Sequence, residues 1–344
     1  MNFFSLITGS FRKYEPAKRV FIETEPYEKG FSQHYEKNIK PHIDSFEAHR
    51  LKSLEEASVW IKVCIPLGIL FSIAAFYILK LCEHNSFSFK LTIGVYLLSI
   101  STLFFLVYSS IQEYGEKIKS VIFPNIISFL GQYQYFPEKK ERIAAIIDSG
   151  IVPKHDREIS EDEISGFYKD VKIDFFETNL KVKHKNKNNV SHYSSIFKGA
   201  VINLSMNKNF NSKTIVRKDF GKIGNFLSSK PKLKNFEKVS LEDPRFEKEF
   251  EVYSQDQIEA RYLLTTSFME RLLNLVEAFD GKSIECSFYD NKLTIMVAIK
   301  KNLFEPGSIY ESEDFADDSK TLLKELNMIF CVIDILKLER NIGM

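Results

Sequence analysis

Residues Val63–Leu79 read VCIPLGILFSIAAFYIL, and residues Leu91–Ser110 read LTIGVYLLSISTLFFLVYSS. Neither run contains a charged side chain. An apolar helix needs about 20 residues to cross the hydrocarbon core of a bilayer. The second run has that length as it stands, and the first reaches it when Trp60 to Leu81 are counted. Lys62 and Lys80 bracket the first run, where their stems can snorkel to the headgroups, and Trp60 stands at the depth that indole rings favour. The Leu, Ile, Val and Phe residues of the second run contribute on the order of −3 to −7 kcal/mol toward insertion. Two charge-free runs joined by a short polar loop argue for a transmembrane pair and against two buried helices of a soluble core.

The loop from Leu81 to Lys90 is too short to hold a domain, so the pair reads as a helical hairpin with both flanks on one side. Arg50 and Lys52 precede it and Lys117 and Lys119 follow it, against Lys80 and Lys90 in the loop. That positive-inside bias places both termini in the cytoplasm. The cysteines, Cys64, Cys82, Cys286 and Cys331, form no CxxC element, which excludes a zinc ribbon or disulfide scaffold and fits a reducing compartment. The N-terminal MNFFSLITG has no basic leader or long apolar core, so no secretory signal is expected there. Gly68 and Ser72 make a small-xxx-small pair suited to close packing, within the hairpin or between copies, and Pro66 can kink the first span. Neither span carries an intramembrane carboxylate, His or Arg, which disfavours a transporter or proton pump.

Across all 344 residues, Lys and Arg total 47 against 46 Asp and Glu, a net charge of +1. With no global field, nucleic acid is not expected as a partner. Only 14 glycines are present, and GxxxxGK[ST], GxGxxG, HExxH and GxSxG are all absent. No histidine follows His192, and His42 and His49 lack metal-ligand context. No catalytic residue, cofactor or metal is expected.

The fold class expected is α+β: a two-span transmembrane helical hairpin followed by a soluble mixed sheet and helix domain. The divisions are an N-terminal cytoplasmic helical segment at 1–58, with a helix running from about Ile43 into the first span, the hairpin at 59–111, a juxtamembrane helix at 112–138 and a cytoplasmic α+β domain at 139–344. The juxtamembrane stretch has an apolar face of Ile118, Val121, Ile122, Ile126, Ile127 and Leu130, with Pro124 as a kink, and is expected to dock on the soluble domain. Alternation marks strands at Val171–Phe175, Leu180–Val182 and Ala200–Met206. Another alternating pair, Ile284–Phe288 and Leu293–Ile299, flanks an Asp290-Asn291 turn. Gly199 suggests a bulge. Helices are expected from a Ser254/Gln257 capping box, from Ser267/Glu270, and from Asp317-Asp318-Ser319.

Two stretches supply candidate functional residues. In Glu242–Arg261, the side chains of Asp243, Tyr253, Asp256, Glu259 and Arg261 are polar enough for acid-base work, though the stretch matches no metal-ligand spacing. The plainer reading makes Phe246, Phe250 and Val252 buried anchors, the carboxylates helix starts, and Arg261 the partner of a carboxylate. Lys181, Lys183, Lys185 and Lys187 crowd a hairpin tip, either as a solvated end or as a contact to anionic lipid headgroups.

The block LEDPRFEKEFEVYSQDQIEARYLLTTSFMERL, Leu241–Leu272, resembles the signature of a bacterial membrane-protein family known as domain of unknown function 3137. Ser149-Gly150, Ile164-Ser-Gly166-Phe-Tyr, Phe197-Lys-Gly199 and Ser287–Leu293 resemble it too, as does the hairpin ahead of the domain. The resemblance departs at Lys181–Asn189. It implies this architecture in a bacterial inner membrane, and carries no activity or catalytic residues.

The function expected is a membrane-anchored binding or scaffold module presenting its α+β domain to a protein, lipid headgroup or small ligand. The alternatives are a membrane-tethered enzyme using the carboxylates and Arg of 242–261, and a structural subunit of a membrane assembly. The expected partners are the membrane itself, anionic headgroups, and a protein or second copy of the chain.

Overall fold

The computed structural model describes residues 20–81, 86–185, 189–206, 208–218, 235–278, 283–299, 301–310 and 314–338. Helix α1 (Phe31–Asn38) leads into α2 (Ile43–Leu81), which begins where the sequence places it, and α3 (Ser86–Ile127) follows. Helices α2 and α3 run antiparallel. The Ser72 and Tyr96 hydroxyls are 3.0 Å apart, and Cys64 Sγ lies 3.7 Å from the Leu103 carbonyl. A Cβ built on Gly68 would stand 3.8 Å from Ile100. The small-residue pair therefore packs α2 on α3.

Away from that seam the helices bury little. Ile69, Leu70, Phe76, Leu97, Leu98 and Phe104 are each more than half exposed. Among the described residues, one helical run, Phe31–Lys80, is long and apolar enough to cross a membrane. Its most apolar window has mean hydropathy 2.1 and is 6% buried, unlike the core helix of a soluble protein. The apolar part of α3, Lys90–Phe105, is shorter than that criterion. The structure thus supports one long apolar helix near the N-terminus, a coarser statement than the expected two spans.

Two compact units divide the described residues. The first joins the chain up to Phe129 with Glu305–Thr321, and the second joins Leu130–Phe304 with the chain from Leu322. In the first, α2 and α3 bury one face each outside their apolar stretches: Ile43, Phe46, Leu54 and Ala57 from α2, Tyr114, Ile118, Ile122 and Ile126 from α3. Edge-on ring contacts knit this core: Phe31 with Phe129 at 5.0 Å and Phe46 with Phe315 at 5.4 Å between centroids. There is no separate juxtamembrane helix. α3 continues through Pro124 to Ile127, because a proline this near the C-terminus breaks little of the hydrogen-bond ladder. Its apolar face packs within this unit, which also takes in Glu305–Thr321 from the expected soluble domain.

Asp318, in the first turn of α7 (Ala316–Leu336), is buried and accepts from the Gly307 N–H at 3.1 Å. Burial pushes its pKa up to about 6. A carboxyl raised above its unfolded value holds its proton longer in the folded state. Its contribution is complete below pH ~4 and is lost as pH rises through about 6, on the order of 1–3 kcal/mol. Asp318→Asn should therefore raise the melting temperature at neutral pH and leave it little changed near pH 4. Thermal unfolding of both proteins at the two pH values checks this.

Among the described residues, the second unit is built on a nine-stranded sheet, ordered β1-β2-β3-β4-β9-β8-β5-β7-β6. The strands are β1 (Gln134–Phe136), β2 (Arg157–Tyr168), β3 (Val171–Lys185), β4 (Ser191–Ser205), β5 (Thr214–Lys218), β6 (Glu237–Val239), β7 (Phe250–Ser254), β8 (Ile284–Tyr289) and β9 (Lys292–Ala298). Every pairing is antiparallel. The unit starts at Leu130 rather than 139, because β1 pairs onto β2. The β8–β9 hairpin closes on Asp290 and Asn291 at φ 52° and 54°, the left-handed pair that a two-residue turn requires.

Short helices α4 (Pro244–Glu249) and α5 (Gln257–Leu263) flank β7, and α6 (Thr266–Ala278) follows them. Asp256, rather than Ser254, caps α5, and the Thr265 hydroxyl, rather than Ser267, accepts from the Phe268 N–H beside the start of α6. Ser267 lies inside α6, where a capping oxygen cannot reach the free N–H groups, and the Ser254 hydroxyl accepts from the Asp256 N–H at 3.1 Å, one step short of the helix. The later part of α7 stacks Phe330 on Tyr168 at 4.9 Å. The register shift in β4 falls at Ile196, opposite Leu180/Lys181, and not at Gly199. Gly199 is instead a site of close backbone approach: a Cβ there would lie 2.0 Å from the Val297 carbonyl oxygen.

Candidate functional site

The Glu242–Arg261 stretch does not gather its polar groups into one site. Asp243 caps α4, accepting from the Arg245 and Phe246 N–H groups at 2.9 and 3.4 Å. The Arg245 side chain and these N–H groups hold its pKa below the usual carboxylate range. Asp256 caps α5, accepting from Ile258 and Glu259 at 2.8 and 3.1 Å. Glu259 reaches a different loop, taking the Asn211 and Ser212 N–H groups at 2.8 and 2.7 Å and the Ser212 hydroxyl. Burial works against its ionisation, but these hydrogen bonds outweigh it and its pKa is lowered. The Tyr253 hydroxyl donates to Glu251 at 3.1 Å, and burial, followed by that carboxylate, raises its pKa. Arg261 bonds the Gln257 carbonyl and side-chain oxygens at 3.2 and 3.3 Å, not the carboxylate expected for it. Phe246, Phe250 and Val252 are buried as anchors. Asp243 and Asp256 are thus engaged in capping and Glu259 in anchoring a loop, which is what an alternating helix-strand-helix segment demands of Asp and Glu.

The lysine cluster has a different character. β3 and β4 stay paired to Lys185 opposite Ser191, past the buried part of the sheet. Residues directly opposite share a face. One face at this end therefore carries Lys181, Lys183 and Lys185 with their partners Ser195, Tyr193 and Ser191. Arg157 of β2 stands opposite Lys181, and its guanidinium lies 5.8 Å from the Tyr193 ring centroid. Asp156 pins the strand, its carboxylate accepting from the Lys183 N–H at 2.7 Å and its own N–H donating to the Lys181 carbonyl at 2.9 Å. Lys187 lies outside the described residues. The result is a basic ladder with one aromatic ring in it, at about 7 Å intervals along the strand.

The sequence reading found the lysines and missed Arg157 and Tyr193, which only strand register brings beside them. Pairing the SHYSS of Ser191–Ser195 with the KVKHK of Lys181–Lys185 across the turn would have placed Tyr193 opposite Lys183.

Residues 195–338 match the family described as "Protein of unknown function (DUF3137)". The resemblance carried by Leu241–Leu272 is thereby shown, and the match takes in the end of β4, the Leu241–Leu272 block, β9 and the whole of α7. It begins at Ser195, so it leaves out the lysines of the hairpin tip. No curated protein matches the chain. Among solved structures, the crystal structure of the mycobacterial trehalose monomycolate transport factor A, TtfA, is similar at 10% identity and a TM-score of 0.32, over 59% of this chain and 88% of that one. At that score the shared geometry is too slight to argue from.

Proposed function

We propose that this chain is a membrane-anchored, non-enzymatic module of the bacterial inner membrane whose α+β unit binds by the basic end of the β3–β4 hairpin to anionic headgroups. In this reading α2 and α3 cross the bilayer as a hairpin with both termini in the cytoplasm. The charge-free runs, the exposed apolar side chains of the helix pair and the flanking cations support the anchoring. The observation that carries the binding role is the ladder of Arg157, Lys181, Lys183 and Lys185 around Tyr193. A cation near an anionic leaflet is worth about 1 kcal/mol, so four contribute on the order of 4 kcal/mol at most. Anchoring raises the local concentration, so even part of that energy orients the unit.

The test uses the full chain in nanodiscs of neutral or anionic lipid, reading hydrogen exchange over residues 181–195. Exchange should slow on anionic discs at ~0.1 M salt and recover at ~1 M, where the Debye length falls to about 3 Å. Replacing Lys181, Lys183, Lys185 and Lys187 by Gln should remove the protection. Equal exchange on both lipids would end the headgroup reading. The anchoring half is checked separately by reporter fusions, expected to be cytoplasmic at the C-terminus and external between α2 and α3.

A further inference from the structure

The face of the β3–β4 hairpin opposite the lysine ladder carries a second group of chemistry-bearing residues. His184 and His192 occupy directly opposing positions. Their ring centroids are 5.2 Å apart with the planes 25° from parallel. Both side chains are exposed. Two imidazoles on adjacent strands are joined by a backbone ladder that fixes their separation before any ligand arrives.

The geometry points to a transition-metal site: His184 and His192 chelate one first-row divalent cation of the Zn(II), Ni(II) and Cu(II) class. Imidazole suits these ions, at metal–nitrogen distances of about 2.0–2.1 Å. Two nitrogens on one tetrahedral ion then lie about 3.3 Å apart. Rings with centroids 5.2 Å apart reach that spacing by rotation about their side-chain torsions, which exposure leaves free. No strand movement is needed.

One contact already orients a ring for this role. His184 Nε2 and the Ser194 hydroxyl oxygen are 2.6 Å apart. With Nε2–H donating to Ser194, the lone pair resides on Nδ1, which becomes the ligand atom. Metal-bound histidines are commonly held this way by a partner on the other ring nitrogen. Two protein ligands leave the remaining positions of the ion to water or to a group brought by another molecule. The site does not depend on the membrane reading, because it uses neither the ladder nor the anchor.

The neighbouring cations on the opposite face oppose every divalent ion alike, and the imidazole donors set the order among them, with Cu(II) bound more tightly than Ni(II) or Zn(II).

The test is calorimetric titration of the tag-free full chain in detergent with Cu(II), Ni(II) and Zn(II) salts. The parent should bind one ion with the affinity order above. His184→Gln and His192→Gln should each weaken binding by tenfold or more with an unchanged circular dichroism spectrum. His155→Gln, on the segment before β2, should bind as the parent does. Parent-like affinity in either single variant of the pair overturns the chelate, as does the absence of any binding to the parent up to ~1 mM metal.

Discussion

Gly199→Ala is expected to cost about 4 kcal/mol or more, a range that a collision with backbone unable to move can reach. An alanine Cβ at this position would stand 2.0 Å from the Val297 carbonyl oxygen, 2.8 Å from the Ile299 nitrogen and 3.0 Å from Ala298 Cα. All three are backbone atoms of β9 and the residue after it. β9 is paired on both sides, with β4 and β8, so it cannot shift without breaking one ladder or the other. Gly166→Ala gives the comparison. Its Cβ would meet the Tyr133 ring at 2.4 Å and the Gln132 carbonyl at 3.1 Å. A ring stacked on Phe330 can yield at a cost of about 1–3 kcal/mol. Denaturant midpoints of the full chain in detergent should rank parent, Gly166→Ala, Gly199→Ala. Equal midpoints for Gly199→Ala and the parent would mean that β4 and β9 do not pair as described.

The second large effect is expected at Arg50. This side chain is fully buried in the first unit and makes a two-pronged ion pair with Glu47, Nε to Oε2 and Nη2 to Oε1, both at 2.7 Å. Its Nη1 donates to the Ile309 carbonyl at 2.9 Å. Arg50→Ala strands the buried Glu47 carboxylate, which typically costs about 3–5 kcal/mol. Removing both charges, in Arg50→Met with Glu47→Leu, should recover most of the loss. The Ile309 carbonyl still loses the Arg50 donor, which costs about 1–3 kcal/mol. Unfolding midpoints of the single and double variants decide the matter. A double variant as unstable as the single one would show that packing, and not the stranded charge, carries the effect.

Arg50 also bears on topology. The sequence counts it among the cations that flank the first apolar run, while the fold neutralises it against Glu47. The two observations agree, because the positive-inside bias acts on the inserting chain and takes little account of acidic residues. Burial comes later, so the count of four against two stands as the basis of the proposed orientation.

Periodicity made much of the second unit legible. Alternation located β3, β4, β8 and β9, since a strand buried on one face must alternate. β7 was hidden, because its FEVYS alternates inside a run of charges that reads as helix and loop. β1, β2, β5 and β6 were missed as strands. In β2 the register shift at Glu161/Ile164 disrupts the alternation. The capping residues were each misplaced by two positions, because Ser254, Asp256, Thr265 and Ser267 are all acceptable caps by type and only the path of the chain selects among them.

By itself the sequence determined the charge-free runs, the helix entering at Ile43, the Asp290-Asn291 turn, the buried anchors Phe246, Phe250 and Val252, and the family block. Each is a local property: hydropathy, period, turn chemistry and composition are all set within a few residues. Only the tertiary structure decided that Gly68 and Ser72 face α3, that Arg50 lies in a core completed by residues 305–321, and that Gly199 abuts β9. It also decided that Arg157 and Tyr193 join the lysine ladder and that His184 faces His192. Those depend on which strand pairs with which, and in what register. A slip of one residue in β4 would move every side chain to the other face. Register is settled by packing the whole sheet, so no short stretch of sequence records it.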